Sequence, residues 1–195
     1  MTVWTVAGAL IVAAAAFFFL FGFLSTYLRY RRTSVITCPE NFQPAAVKVD
    51  AFDAAKWGAL SGEPDLHLKS CTRWPEMAGC GQECLTQIMT SPVACQVKTI
   101  VTSWYAGKAC VYCKAPIEDI VWHERPPALR APDGTSREWK EILPEQLPIV
   151  FRTWEPVCWH CHIVESFRHE HPEMVIERKR PVEAAPILQP SVTLY

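Results

Sequence analysis

Glycine is scarce in this chain, eight residues in 195, while proline occurs sixteen times. That balance excludes long flexible Gly/Ser linkers and favours stiff connections. No charged side chain occurs in residues 1–28, and no long block of like charge follows; 19 Lys and Arg stand against 20 Asp and Glu. The charge pattern gives no footprint for nucleic acid, and none is expected as a partner. Apart from the apolar N-terminus there is no internal repeat and no low-complexity run. The marks of familiar catalytic sites are missing too: no Ser-His-Asp arrangement, no phosphate-binding glycine loop, no H-E-x-x-H helix. His169-Glu170-His171 sets its two imidazoles too close for zinc-protease geometry. No motif therefore argues for an enzyme.

What is present in excess is an apolar run and cysteine. Val3 to Leu28 is rich in Ala, Phe, Leu and Val. A helix rises about 1.5 Å per residue, and about 20 apolar residues cross the hydrocarbon core. The stretch is too long and too uniformly apolar for a soluble core helix. It also lacks the basic start and short apolar centre of a cleaved signal peptide. Arg29, Arg31 and Arg32 follow the run, and Tyr27 and Tyr30 suit the interfacial belt. The positive-inside rule then places the remainder in the cytoplasm. The expectation is a single-pass protein of the inner or plasma membrane, touching lipid through residues 3–28.

Beyond the anchor the pattern is α+β. Residues 33–51 read as two short strands joined by a turn at Pro39 to Pro44, and Ala51 to Leu60 as a helix stopped at Gly62. Leu66 to Cys71 alternates like a half-buried strand. Helices are expected at 82–89 and at 93–105, where Val97, Ile100, Val101 and Trp104 recur at helical spacing. Ile117 to His123 reads as a strand. Ala128 to Ile142 reads as a hairpin turning at Pro132-Asp133-Gly134. A short helix at 144–154 and another from Cys158 to about His169, ended by Pro172, complete the pattern. The expected parts are an anchor with its basic flank (1–32), a small cysteine-containing α+β subdomain (33–106), a second subdomain (107–177), and an extended tail (178–195).

Nine cysteines sit at 38, 71, 80, 84, 95, 110, 113, 158 and 161. Cytoplasmic placement favours metal binding over disulfides. Cys158-Trp159-His160-Cys161-His162 carries two meanings. As C-x-x-C-H it has the form of c-type haem attachment, with thioethers at Cys158 and Cys161 and His162 as proximal ligand. Paired with Cys110-Val111-Tyr112-Cys113, it completes a four-thiolate zinc site. The compartment and the 33 residues left after Cys161-His162 count against haem.

The order of knuckle, strand, hairpin and helix-borne pair resembles the treble-clef and zinc-ribbon zinc folds over residues 107–171. That resemblance implies zinc on Cys110, Cys113, Cys158 and Cys161, with an inserted helix at 144–154. His160, His162, His169 and His171 then fall on a solvated helix face, and His162→Ala is expected to cost little. Cys38, Cys71, Cys80 and Cys84 offer a second metal site, and an iron–sulfur cluster could use the same ligands. Cys80 and Cys84 are four apart, on one face if both are helical. Cys95 is spare. The chain as a whole is similar to small single-span bacterial cysteine-rich membrane proteins of unassigned role. The expected function is a membrane-anchored structural zinc module serving interaction or assembly with another protein on the cytoplasmic face. The alternatives are a membrane-anchored mono-haem c-type cytochrome and a thiol-redox protein; the latter would want a βαβ context that is not seen.

Overall fold

The structure is a computed structural model that describes residues 2–175 except 78 and 119, with side chains from residue 4. The tail expected at 178–195 lies outside the described residues. Helix α1 (Thr2–Tyr30) opens the chain. Its Trp4–Tyr30 stretch has a mean hydropathy of 2.5 and is long and apolar enough to cross a membrane. It is exposed up to Phe21, and Tyr30 is its first buried residue. A helix apolar on every side and exposed over most of its length suits an apolar solvent.

The N-terminal third of the remaining chain packs around the end of α1. Strands β1 (Ser34–Thr37), β2 (Pro44–Val49) and β3 (Leu68–Cys71) form an antiparallel sheet in that order. Its register sets Ser34 opposite Val47, and Val47 opposite Cys71. Helix α2 (Ala51–Ser61) starts at Asp50, whose carboxylate accepts the N–H groups of Phe52 and Asp53 at 3.1 and 3.2 Å. It stops at Gly62, where φ is +83°. The helix leans on α1: the Phe23 and Phe52 rings meet edge to face at 5.6 Å. At Gly58 a Cβ would lie 3.4 Å from Thr26, in ordinary van der Waals contact. Ile36, Val47, Val49, Ala54, Leu68 and Ile88 form the core here, with Tyr30 joining from α1.

Two helices are shorter than their spacing predicts. Helix α3 (Leu85–Thr90) starts three residues late, because Gln82 sits at φ +56°, outside the right-handed helical region. Helix α4 (Val97–Tyr105) starts at Gln96, which is extended and sends its amide to the Arg29 carbonyl at 2.9 Å. The apolar stripe on α4 is core, as expected. However, Val101 and Tyr105 pack with Leu129, Ile142, Leu147 and Val150, so α4 belongs to the C-terminal core although it precedes residue 106.

That second core contains the sheet β5–β4–β6, formed by β4 (Ala128–Arg130), β5 (Ser136–Arg137) and β6 (Glu155–Val157). The hairpin turns at Ala131–Thr135 with Gly134 at φ +86°. Helices α5 (Leu147–Thr153) and α6 (Trp159–Glu170) follow. Among the described residues of 117–123 the expected strand does not form. The N–H of Ile117 is spent on Lys108, and Val121 turns back to accept from Arg125 at 2.8 Å. Strand β6 takes the place at the sheet edge, pairing Ala128 with Val157. Tyr105 ties α4 to this sheet: its hydroxyl donates to the Ala128 carbonyl at 2.6 Å and accepts from the Trp139 indole at 3.1 Å. The Trp104 ring stacks on Phe151 at 5.2 Å.

Candidate metal centre

Cys110 opens a tight turn directly after α4. Its N–H donates to Ala115, its carbonyl accepts from Lys114, and Lys114 closes the turn at φ +60°. The Lys114 ammonium returns to the Val111 carbonyl at 2.8 Å. The turn is then latched to β6, because Val111 N–H donates to the Pro156 carbonyl at 2.9 Å. Cys158 lies two residues past Pro156 as the N-cap of α6, with extended backbone, and Cys161 falls in the first turn. One backbone hydrogen bond thus brings the two C-x-x-C pairs together.

The four sulfurs of Cys110, Cys113, Cys158 and Cys161 all lie within 4.8 Å of one another. Cys113 and Cys158 are 3.7 Å apart. A tetrahedral ion with bonds of about 2.3 Å to sulfur sets its ligands about 3.8 Å apart, so the spacing suits one small thiophilic ion. Cys110 is fully buried, Cys158 and Cys161 are half-buried, and Cys113 is exposed. Ala128 and Val157 form an apolar wall behind Cys110. Burial by itself would push the Cys110 thiol up, but backbone amides of Cys158, Cys113 and Tyr112 outweigh it and bring the pKa down to about 7. Cys158 and Cys161 are pushed up, chiefly by burial. A ready thiolate among reluctant thiols is a site whose charge wants a cation.

His162 corrects the expectation of a solvated first-turn residue. Its side chain is buried, 5% exposed, and Nδ1 lies 2.7 Å from the Ser136 hydroxyl. Its Nε2 lies 3.7 Å from the Glu138 carboxylate, an ion pair when the ring is charged. His162 therefore pins α6 to β5 and to the segment after it. His160 and His169 are exposed, as a solvated face requires, and His171 is half-buried. The sequence does carry a signal for the buried histidine. Cys158 and His162 are four apart on one helix, so a ligating cysteine turns His162 toward the domain. The partners Ser136 and Glu138, two apart on and just after β5, share a face for the same kind of reason.

The N-terminal cysteines are placed differently. Cys80 is not helical and Cys84 is the residue before α3, so the pair does not share a helix face. Cys38, Cys71, Cys80 and Cys84 nevertheless all line one cavity. The Cys84 thiol is pushed up to about 11, by burial first and then by Cys71, Cys80 and Cys38. Cys95 stands apart, its thiol directed at the Gln87 carbonyl at 3.7 Å. Comparison of the chain with protein-family models, with curated proteins and with solved structures finds no match.

Proposed function

We propose that the chain is a membrane-anchored structural zinc module that serves as an interaction or assembly factor on the cytoplasmic face. The observation that carries this reading is the convergence of Cys110, Cys113, Cys158 and Cys161 to zinc-sized separations. Four thiolates suit zinc, and a site closed by four protein ligands leaves no position for a reacting water, which marks structural rather than catalytic zinc. The arrangement of a cysteine turn, a hairpin and a helix-borne pair supports the treble-clef resemblance, with α5 as the insertion. α1 supplies the anchor, and Arg29, Arg31 and Arg32 after it support the cytoplasmic side. Ile163, Val164 and Phe167 leave an exposed apolar strip on α6, which fits a protein partner.

A mono-haem reading of Cys158, Cys161 and His162 requires the imidazole to leave Ser136 and Glu138 for an iron, and the two sulfurs to part from Cys110 and Cys113. No contact in the structure favours that exchange. The deciding experiment is metal analysis with an optical spectrum of the full chain in detergent. Zinc bound at the C-terminal cysteines, lost in Cys110→Ser and in Cys158→Ser, is the expected result. A covalent haem spectrum that vanishes in His162→Ala would sink the zinc reading. A C-terminal reporter active only outside the cytoplasm would overturn the sidedness alone.

A further inference from the structure

The two cysteine quartets differ in size, and the difference has a chemical meaning. In the C-terminal quartet the sulfurs have closed to within 4.8 Å; among the described residues no other set of three or more ligand atoms is that tight. In the N-terminal quartet the four cysteines surround a cavity of about 110 Å³ instead. One water needs roughly 10–15 Å³ of such space, so the cavity holds several atoms, far more than a bare ion fills. A mononuclear zinc would draw its four sulfurs to about 3.8 Å and leave no cavity.

The cysteines reach this cavity from separate elements. Cys38 follows β1, Cys71 ends β3, Cys80 lies in the loop and Cys84 precedes α3. Strand pairing through β2 keeps Cys38 and Cys71 apart, because Thr37 lies opposite Pro44 while Cys71 lies opposite Val47. The sheet thus resists collapse onto a single ion. The wall is apolar at Ile36, Leu68 and Trp74, and its charged members are Arg73, Glu40 and Glu83. Arg73 gives its backbone N–H to the Cys71 sulfur at 3.4 Å; its guanidinium pairs with Glu76 at 2.9 Å and donates to Gln43 at 3.1 Å, while its buried Nε–H has no acceptor. A donor left unpaired at such a depth costs about 1–3 kcal/mol. A negatively charged sulfur centre would supply the acceptor it lacks.

We propose that Cys38, Cys71, Cys80 and Cys84 ligate an iron–sulfur cluster, a centre distinct from the C-terminal zinc site. Four cysteine thiolates are the usual ligand set of such clusters. Two or more irons spread their ligand sulfurs around a core larger than one ion, as the cavity requires. The Arg73 backbone N–H on the Cys71 sulfur is the kind of hydrogen bond that steadies a cluster thiolate.

The test is anaerobic purification of the full chain in detergent, followed by iron, acid-labile sulfide and zinc analysis and a visible spectrum. Iron and sulfide in equal amounts, with visible absorption bleached by dithionite, are expected. Cys38→Ser and Cys84→Ser should lose the iron and keep the C-terminal zinc, which reports that the rest of the chain has folded. Cys158→Ser should lose the zinc and keep the iron, so the two centres fail separately. Arg73→Gln should keep the iron and lower the midpoint of reduction, since a cation near the cluster is gone. Two zincs per chain and no iron would overturn the cluster. So would an iron-free chain, before and after reconstitution with ferrous iron and sulfide, whose four N-terminal thiols alkylate freely.

Discussion

His162 shows how much a single buried ring changes the account of the site. Its imidazole bridges α6 to Ser136 and Glu138 from a position with almost no solvent contact. Truncation to alanine removes a buried hydrogen bond and leaves the Ser136 hydroxyl without its partner. His162→Ala should therefore cost about 1–3 kcal/mol in chemical denaturation. Zinc stoichiometry should be unchanged, since the four sulfurs remain; an unaltered denaturation midpoint would refute the bridge. Glu138 gives a second test. Its carboxyl is held below the ordinary 4.5, first by the hydrogen bond from Lys140, with the His162 charge adding and burial opposing. A depressed folded value means that the carboxylate adds stability above its unfolded pKa and loses it as pH falls through the folded one. Glu138→Gln should flatten the acid limb of stability below about pH 4.5, read as urea midpoint against pH. An acid limb parallel to that of the unsubstituted chain would mean that Glu138 contributes nothing there.

Among the elements, α2 is held by its ends and by one close approach. The Asp50 cap satisfies two N–H groups that the first turn cannot pair internally. Asp50→Ala should cost about 1 kcal/mol, and Asp50→Asn or Asp50→Ser much less, since both retain a capping oxygen. Equal losses in all three variants would show that the cap is not what the carboxylate supplies. Strand β6 is three residues long, yet it positions the four-cysteine cluster. Its Pro156 carbonyl receives the Cys110–Cys113 turn, and its end delivers Cys158 to the cap of α6. The short strand escapes a reading by periodicity, since three residues show no alternation, and Pro156 argues against a strand in sequence terms. Only its pairing with β4 makes it one. The expected strand at 117–123 failed for the converse reason: its apolar residues suggested a strand, but the Ile117 N–H is taken by Lys108 and Val121 turns back to Arg125.

For the whole molecule, α1 and the cysteines divide the work. The N-terminal core includes Tyr30 from α1, so the anchor and the first sheet are one packed unit rather than a domain on a tether. Full-length chain in membranes should resist extraction by alkaline carbonate and yield to detergent; release by carbonate alone would refute spanning. On the proposed zinc reading, thiolate–metal bonds supply folding energy to the small domain. Chelation should accordingly lower the thermal midpoint of the detergent-solubilised chain and expose Cys110, the one fully buried ligand, to alkylation. An unshifted midpoint after complete metal removal would show that the two cores suffice. The sequence by itself determined the long apolar helix α1, the α+β class, the hairpin at Pro132–Gly134 and the pairing of 110–113 with 158–161. Each rests on local signals: apolar length, helical spacing, turn residues and ligand spacing. Tertiary structure alone decided the partners of His162, the edge strand β6 and the unequal size of the two cysteine quartets. Those depend on which backbone edge pairs with which, and on distances between residues far apart in the chain. No local pattern encodes either one.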